Sequence, residues 1–92
     1  MRHANADDLE AIADLIASLR ATELREKAPG VFYRRSKAFL HFHADPAGIF
    51  ADVRTRPDAE FLRVRATTRA EQRRLLASVR RALAASPAPG GS

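Results

Sequence analysis

A chain of 92 residues has the size of one small domain with a correspondingly small core, and its net charge is +5. It has no cysteine, which excludes disulfides, thiol chemistry and zinc–thiolate sites. No apolar run approaches the roughly 18 residues of a membrane span, and the first ten residues lack the apolar core of a signal peptide. We therefore expect a cytoplasmic protein with no membrane partner.

The charge is distributed unevenly along the chain. Residues 1–30 contain four basic and six acidic side chains, whereas residues 31–92 contain twelve and five. Such asymmetry is typical of a protein in which one half binds a polyanion. Fourteen of the sixteen basic residues are arginine, however, and alanine is abundant, which a GC-rich genome also produces. A nucleic-acid partner and the base composition of the genome therefore both remain as explanations of the charge.

Helical spacing of apolar residues predicts a first helix from residue 5 to about residue 20. Residues 22–27 either prolong this helix or form a short extended segment in which Leu24 points inward. Strands are predicted over residues 31–35 and 61–65, on either side of a β-hairpin over residues 37–54. The hairpin turn, residues 45–48, has the Asp-Pro-Ala-Gly order that type I turns prefer.

Alternation along the hairpin sorts its side chains into two faces. If Asp45 pairs with Gly48, the core face is Leu40, Phe42, Ala44, Ile49, Ala51 and Val53. The other side, here called the open face, is Phe39, His41, His43, Phe50, Asp52 and Arg54. A shift of one residue would exchange the two faces, so this clean division supports the register.

The last predicted strand extends both faces. Leu62 and Val64 are expected in the core, and pairing Leu62 with Val53 adds Phe61, Arg63 and Arg65 to the open face. Across three strands the open face then contains the rows His41–Asp52–Arg63 and His43–Phe50–Arg65.

A capping box at residues 68–71 predicts the start of a closing helix that runs to about Ala85. Residues 86–92 are rich in proline, glycine and serine, and we expect a disordered tail after a single domain of residues 1–85. The element order is α-β-β-β-β-α. It predicts an α+β two-layer sandwich, with both helices on the core face of a four-stranded antiparallel sheet.

Nucleic-acid binding is the first interpretation of the open face. Aromatic rings for base stacking beside arginines for phosphate contacts are the two elements that single-strand binders combine. The candidate residues are Phe39, Phe50, Arg54, Phe61, Arg63 and Arg65.

Other interpretations of the open face remain. His41 and His43 could bind a metal with a carboxylate, but we find no third ligand at a diagnostic spacing, and His3 lies in a terminus expected to be mobile. Alternatively, His41, His43 and Asp52 form a polar cluster of cross-strand pairs, and the phenylalanines are covered by a second subunit. An acid–base role for His41 beside Asp52 is a further alternative. We predict no catalytic residue, metal ligand or cofactor, and a non-enzymatic binding module.

Part of the chain resembles the MmcQ/YjbR-like small bacterial proteins. The similarity spans residues 9–54 and the closing helix. The shared features are an aromatic strand, a basic turn and a second turn, and the residues that carry them are Phe32, Arg35, Lys37, Phe39 and Asp45 to Gly48. The resemblance implies a frataxin-like α+β fold and a DNA-binding role. It supplies no activity or catalytic motif.

Overall fold

The structure, a computed structural model, describes residues 1–56 and 58–85. The elements in these ranges are β1 (Arg2–His3), α1 (Ala6–Ala11), α2 (Ala13–Arg20), β2 (Arg25–Ala28), β3 (Val31–Arg34), β4 (Lys37–Asp45), β5 (Gly48–Val53), β6 (Leu62–Arg65) and α3 (Arg69–Ala85). The predicted tail, residues 86–92, lies outside the described residues, as does Pro57.

One antiparallel sheet contains all six strands, in the order β2-β3-β4-β5-β6, with β1 also paired to β4. His3 of β1 lies opposite His43, and Val31 of β3 lies opposite His41. β1 and β3 therefore follow each other along one edge of β4, and β5 occupies the other edge. The α+β class and the antiparallel sheet are confirmed. The four predicted strands are present as β3 to β6, and the sheet of the described residues has two more, β1 and β2.

The core forms where the two helical segments meet the core face of the hairpin. Every predicted core-face residue of β4 and β5 is buried, together with residues of α2 and α3, in one cluster. Leu24 is also buried, and the segment after it is the strand β2, so the extended alternative for residues 22–27 is the observed one.

The predicted first helix is interrupted at Ile12. This residue leaves helical geometry at φ −119° and ψ 32°, which separates α1 from α2. Its side chain is nevertheless buried in the core. The apolar spacing that predicted one helix therefore continues through the break, since both pieces face the same core.

The turn between β4 and β5 depends on Gly48 and Thr67. Gly48 has φ +135°, and a Cβ atom there would lie 2.4 Å from Thr67 Oγ1. That hydroxyl accepts a hydrogen bond from the amide of Ile49 and donates one to its carbonyl oxygen. Gly48 is thus required both by its backbone conformation and by the close approach of Thr67.

Two predicted core residues of β6 are exposed. Leu62 is 68% exposed and Val64 is 36% exposed, although Leu62 pairs with Val53 as predicted. The register is correct, but a groove between β6 and α3 leaves these two side chains uncovered. None of the described helices is both long and apolar enough to span a membrane.

Candidate functional site

The open face has the strand registers that were predicted for it. β4 pairs with β5, and β5 with β6, so that neighbouring strands present the rows His41–Asp52–Arg63 and His43–Phe50–Arg65. Turn chemistry and alternation were therefore sufficient to place these six side chains beside one another.

Phe39 does not belong to the open face, which corrects the prediction. The register between β3 and β4 shifts here: Phe32 lies opposite Leu40, but Tyr33 lies opposite Ala38. Phe39 is the extra residue of this bulge, and it is 4% exposed within the core cluster. A bulge breaks the alternation locally, so two consecutive side chains, Phe39 and Leu40, are both buried.

Asp52 is the centre of the open face. It is 9% exposed, and Arg63 donates two hydrogen bonds to it, from Nε to Oδ1 at 2.7 Å and from Nη2 to Oδ2 at 2.8 Å. These hydrogen bonds lower the pKa of the Asp52 carboxyl against the opposing effect of burial. Asp52 is therefore a fixed negative charge at neutral pH, in a geometry that binds an arginine strongly.

Two histidines approach the same carboxylate from β4. Nε2 of His43 lies 3.1 Å from Oδ2 of Asp52, and Nε2 of His41 lies 4.0 Å from it. Burial lowers the pKa of His41, as does the neighbouring His43, while Asp52 raises it. Both ring nitrogens of His43 are buried, yet neither makes a hydrogen bond to the described residues. Since an unsatisfied buried polar group costs about 1–3 kcal/mol, this ring is poorly placed for stability alone.

His3 completes a cluster of three imidazoles. Its ring centroid is 4.8 Å from that of His43, and the centroids of His41 and His43 are 4.7 Å apart. The terminus that was expected to be mobile is instead paired to β4. The amide of Ala4 donates to the carbonyl oxygen of Phe42, and Arg2 forms an ion pair with Asp8. A two-residue strand has no detectable periodicity, so this placement could not be predicted from the pattern of residues.

The predicted stacking residue Phe61, which directly precedes β6, is partly engaged with other side chains. The guanidinium of Arg54 lies 4.6 Å from the centroid of the Phe61 ring, and His41 contacts the same ring edge-on at 5.1 Å. Arg54 also donates to the carbonyl oxygen of Ala38 at 2.9 Å. Phe61 is 36% exposed and Phe50 is partly buried, so some ring surface remains accessible.

Arg65 is bound by the start of α3. It donates to both carboxylate oxygens of Glu71 at 3.1 Å. Glu71 also accepts from the amides of Thr67 and Thr68, as the predicted capping box requires. The hydrogen bond with Thr68 is the largest of the effects that lower the pKa of Glu71 to about 2. The arginines of the open face therefore have nearby carboxylate or carbonyl partners.

Helix α3 presents a different basic surface. Its solvent side, here called the arginine face, is Arg73, Arg74, Arg80 and Arg81, all exposed, with the exposed alanines Ala70, Ala77 and Ala84 between them. Within residues 1–56 and 58–85, the ion pairs use none of these four arginines. Four of the twelve basic side chains of residues 31–92 are thus concentrated on this face, without an acidic partner in the part of the chain that the structure describes.

A groove of about 390 Å³ separates β6 from α3. Its apolar floor includes Leu62, Val64 and Leu75, and Arg56, Arg65 and Arg74 lie at its rim. Leu62 and Val64, which were predicted to be in the core, are the side chains that this groove leaves exposed.

Comparisons with known proteins give no match: no family model, curated protein or solved structure is significantly similar to this chain. The resemblance to MmcQ/YjbR-like proteins remains a prediction, and function has to be argued from the two surfaces themselves.

Proposed function

We propose that this protein binds nucleic acid through the phosphate backbone, with the arginine face of α3 as the main contact. The observation that supports this is the group of four exposed arginines without an acidic partner among the described residues. Arginine binds phosphate strongly and remains charged at all relevant pH values. The small alanines between the arginines allow the helix axis to approach a phosphate backbone closely.

The open face is the less favourable location for this binding, although the sequence favoured it. Asp52 and Glu71 partly neutralise Arg63 and Arg65, and a phosphate there would have to compete with those carboxylates. Burial of Phe39 removes one of the three proposed stacking rings. Phe50 and Phe61 retain some accessible surface, so stacking of a single strand on this face is an alternative location for the same function.

Salt dependence tests the arginine face. Each phosphate neutralised releases counterion, so the logarithm of the association constant falls linearly with that of the salt concentration. Replacing Arg73 and Arg80 together by glutamine removes about two contacts. We expect affinity for a labelled single strand to fall about tenfold at low salt, and the slope to become shallower by about 1.4. Fluorescence anisotropy at several salt concentrations measures both quantities.

The control is the double variant Arg25→Gln/Lys27→Gln, which removes the same two positive charges from exposed residues of β2. It should leave the slope nearly unchanged. Phe50→Ala separates the two locations, because stacking on the open face predicts lower affinity with an unchanged slope. Absence of binding by the unaltered protein at low salt would contradict the proposal altogether.

A second candidate function is self-association through β6. This strand is at the end of the sheet, and it exposes Leu62 and Val64 beside unpaired backbone groups. Pairing of two β6 strands would continue the sheet and cover both side chains, as edge strands readily allow.

Sedimentation velocity tests this candidate. If β6 forms a homodimer, Leu62→Lys should shift the protein to monomer with little effect on folding, because Leu62 is already exposed. Arg56→Lys, a change at the rim of the same groove, is the control and should not alter the oligomeric state. A monomeric unaltered protein at high concentration would exclude the dimer.

A further inference from the structure

The cluster of His3, His41 and His43 is not explained by nucleic-acid binding or by self-association. These residues come from two strands and project from the open face, so that one nitrogen of each lies within 4.8 Å of the others. We propose that the cluster is a binding site for a divalent transition-metal ion, with Zn²⁺ as the best-fitting example. This revises the sequence interpretation, which lacked a third ligand.

The backbone places the three rings without help from a metal. Pairing of β1 with β4 places His3 opposite His43, and His41 lies two residues earlier in β4 on the same face. Ring centroids are 4.8, 4.7 and 6.1 Å apart for the three pairs. Three nitrogens bound to zinc at about 2.0–2.1 Å would lie about 3.3 Å from one another, so closure needs a movement of roughly 1.5 Å. The exposed His3 is the ring most free to make it.

His43 gives an independent indication of a ligand. Its side chain is only 12% exposed, and both ring nitrogens are buried without a hydrogen bond to the described residues. Such nitrogens are normally paired in folded proteins. A metal ion bound to one nitrogen would satisfy it, with the neighbouring carboxylate serving the other.

Asp52 is suited to that supporting role. Histidine ligands commonly donate their second ring N–H to a carboxylate, which fixes the tautomer and the orientation of the ring. Oδ2 of Asp52 lies 3.1 Å from Nε2 of His43, so a small rotation of the ring would align this hydrogen bond and leave Nδ1 for the metal. Arg63 holds the carboxylate in place from the opposite strand. Asp52 is thus a positioning residue of the site.

The donor set selects the class of metal. Three imidazoles without thiolates suit zinc and its first-row neighbours, and do not suit calcium or magnesium, which prefer oxygen ligands. Because His3 is exposed, the fourth coordination position is on the solvent side. Three protein ligands with one position left for water is the arrangement of open zinc sites.

Zinc titration of the metal-free protein tests the site directly. The protein is stripped with a chelator, desalted, and titrated with Zn²⁺ against a chromophoric zinc indicator, in the absence of nucleic acid. We expect one ion per chain and a melting temperature that rises with the concentration of free zinc. Zn²⁺ is preferable to Cu²⁺ as a probe, because copper binds isolated histidines more tightly.

Single substitutions assign the ligands. His3→Ala, His41→Ala and His43→Ala should each lower zinc affinity at least tenfold, and Asp52→Asn should lower it less while keeping one ion per chain. Glu60→Gln, an exposed carboxylate in the loop before β6, is the control and should have no effect. His3→Ala changes an exposed side chain, so it tests the site even if the His43 variant fails to fold.

Cobalt provides a second readout. Co²⁺ in a four-coordinate site with three nitrogen ligands absorbs visible light far more strongly than the six-coordinate aqueous ion, and we expect this spectrum from the unaltered protein alone. Absence of stoichiometric zinc binding would overturn the proposal, as would affinity that His3→Ala or His43→Ala leaves unchanged. Neither result would affect the nucleic-acid proposal, since that measurement uses no metal and a different helix face.

Discussion

Replacing Phe42 by alanine is expected to lower the free energy of unfolding by about 3–5 kcal/mol. Phe42 is 2% exposed at the centre of β4, beneath the helices. Its removal would leave a large cavity in a small core. Since a domain of this size is stabilised by only about 5–15 kcal/mol in total, the loss is a large fraction of its stability. Urea unfolding followed by circular dichroism measures the change.

His41→Ala is the matched control, since the two residues are adjacent on β4 and project from opposite faces. In metal-free buffer we expect it to cost about 1 kcal/mol or less, because the ring is partly exposed and makes few core contacts. Similar losses for the two variants would show that the faces of β4 are wrongly assigned.

Replacing Arg63 by methionine is expected to destabilise the protein more than the same change at Arg65. Both arginines are on the same side of β6, and each binds one carboxylate. Without Arg65, Glu71 keeps the amides of Thr67 and Thr68 as donors. Without Arg63, Asp52 is a nearly buried carboxylate whose nearest remaining donor is Nε2 of His43, at 3.1 Å but not aligned for a hydrogen bond. Leaving such a group unsatisfied costs about 1–3 kcal/mol.

Lowering the pH should reduce the difference in stability between the Arg63→Met variant and the unaltered protein. Arg63 lowers the pKa of Asp52 in the folded state, so its stabilising effect is present at neutral pH and is lost as the pH falls below about 4. A protonated Asp52 no longer requires the arginine. Thermal melts between pH 7 and pH 3 measure this change. If the difference in melting temperature between the two proteins stays constant from pH 7 to pH 3, Arg63 stabilises β6 in some other way.

Strand registers could be predicted from the sequence because local rules agreed with one another. The turn preference of residues 45–48 predicted the pairing of Asp45 with Gly48, and the alternation of apolar residues supported it. The structure has this register through to the pair Leu40–Val53. The capping box before α3 was similarly explicit, since Thr68 and Glu71 each satisfy an amide at the helix start.

The errors arise where a long-range contact overrides a local pattern. Phe39 alternates correctly in the sequence, but a bulge against β3 buries it. Leu62 alternates correctly too, and is exposed because a groove separates it from α3. His3 joins the site only through pairing with a strand 40 residues away in the chain. None of these contacts leaves a periodic signal in the residues themselves.

The two proposed sites lie on opposite sides of the sheet. The arginine face belongs to α3, whose apolar side packs on the core face, whereas the histidine cluster is on the open face. Nucleic acid on the helix therefore need not displace a metal from the strands. Each site can be altered without touching the other, which makes the two proposals independently testable.

Amide chemical shifts measured by NMR test the central claim, nucleic-acid binding by α3, most directly. A short single strand is added to metal-free, isotope-labelled protein at low salt, and the shift of each amide is followed. We predict the largest changes within Arg69–Ala85, around Arg73 and Arg80, and their reversal when salt is raised. Changes confined to the open face around Phe50 and Phe61, or no change at all at low salt, would contradict the account.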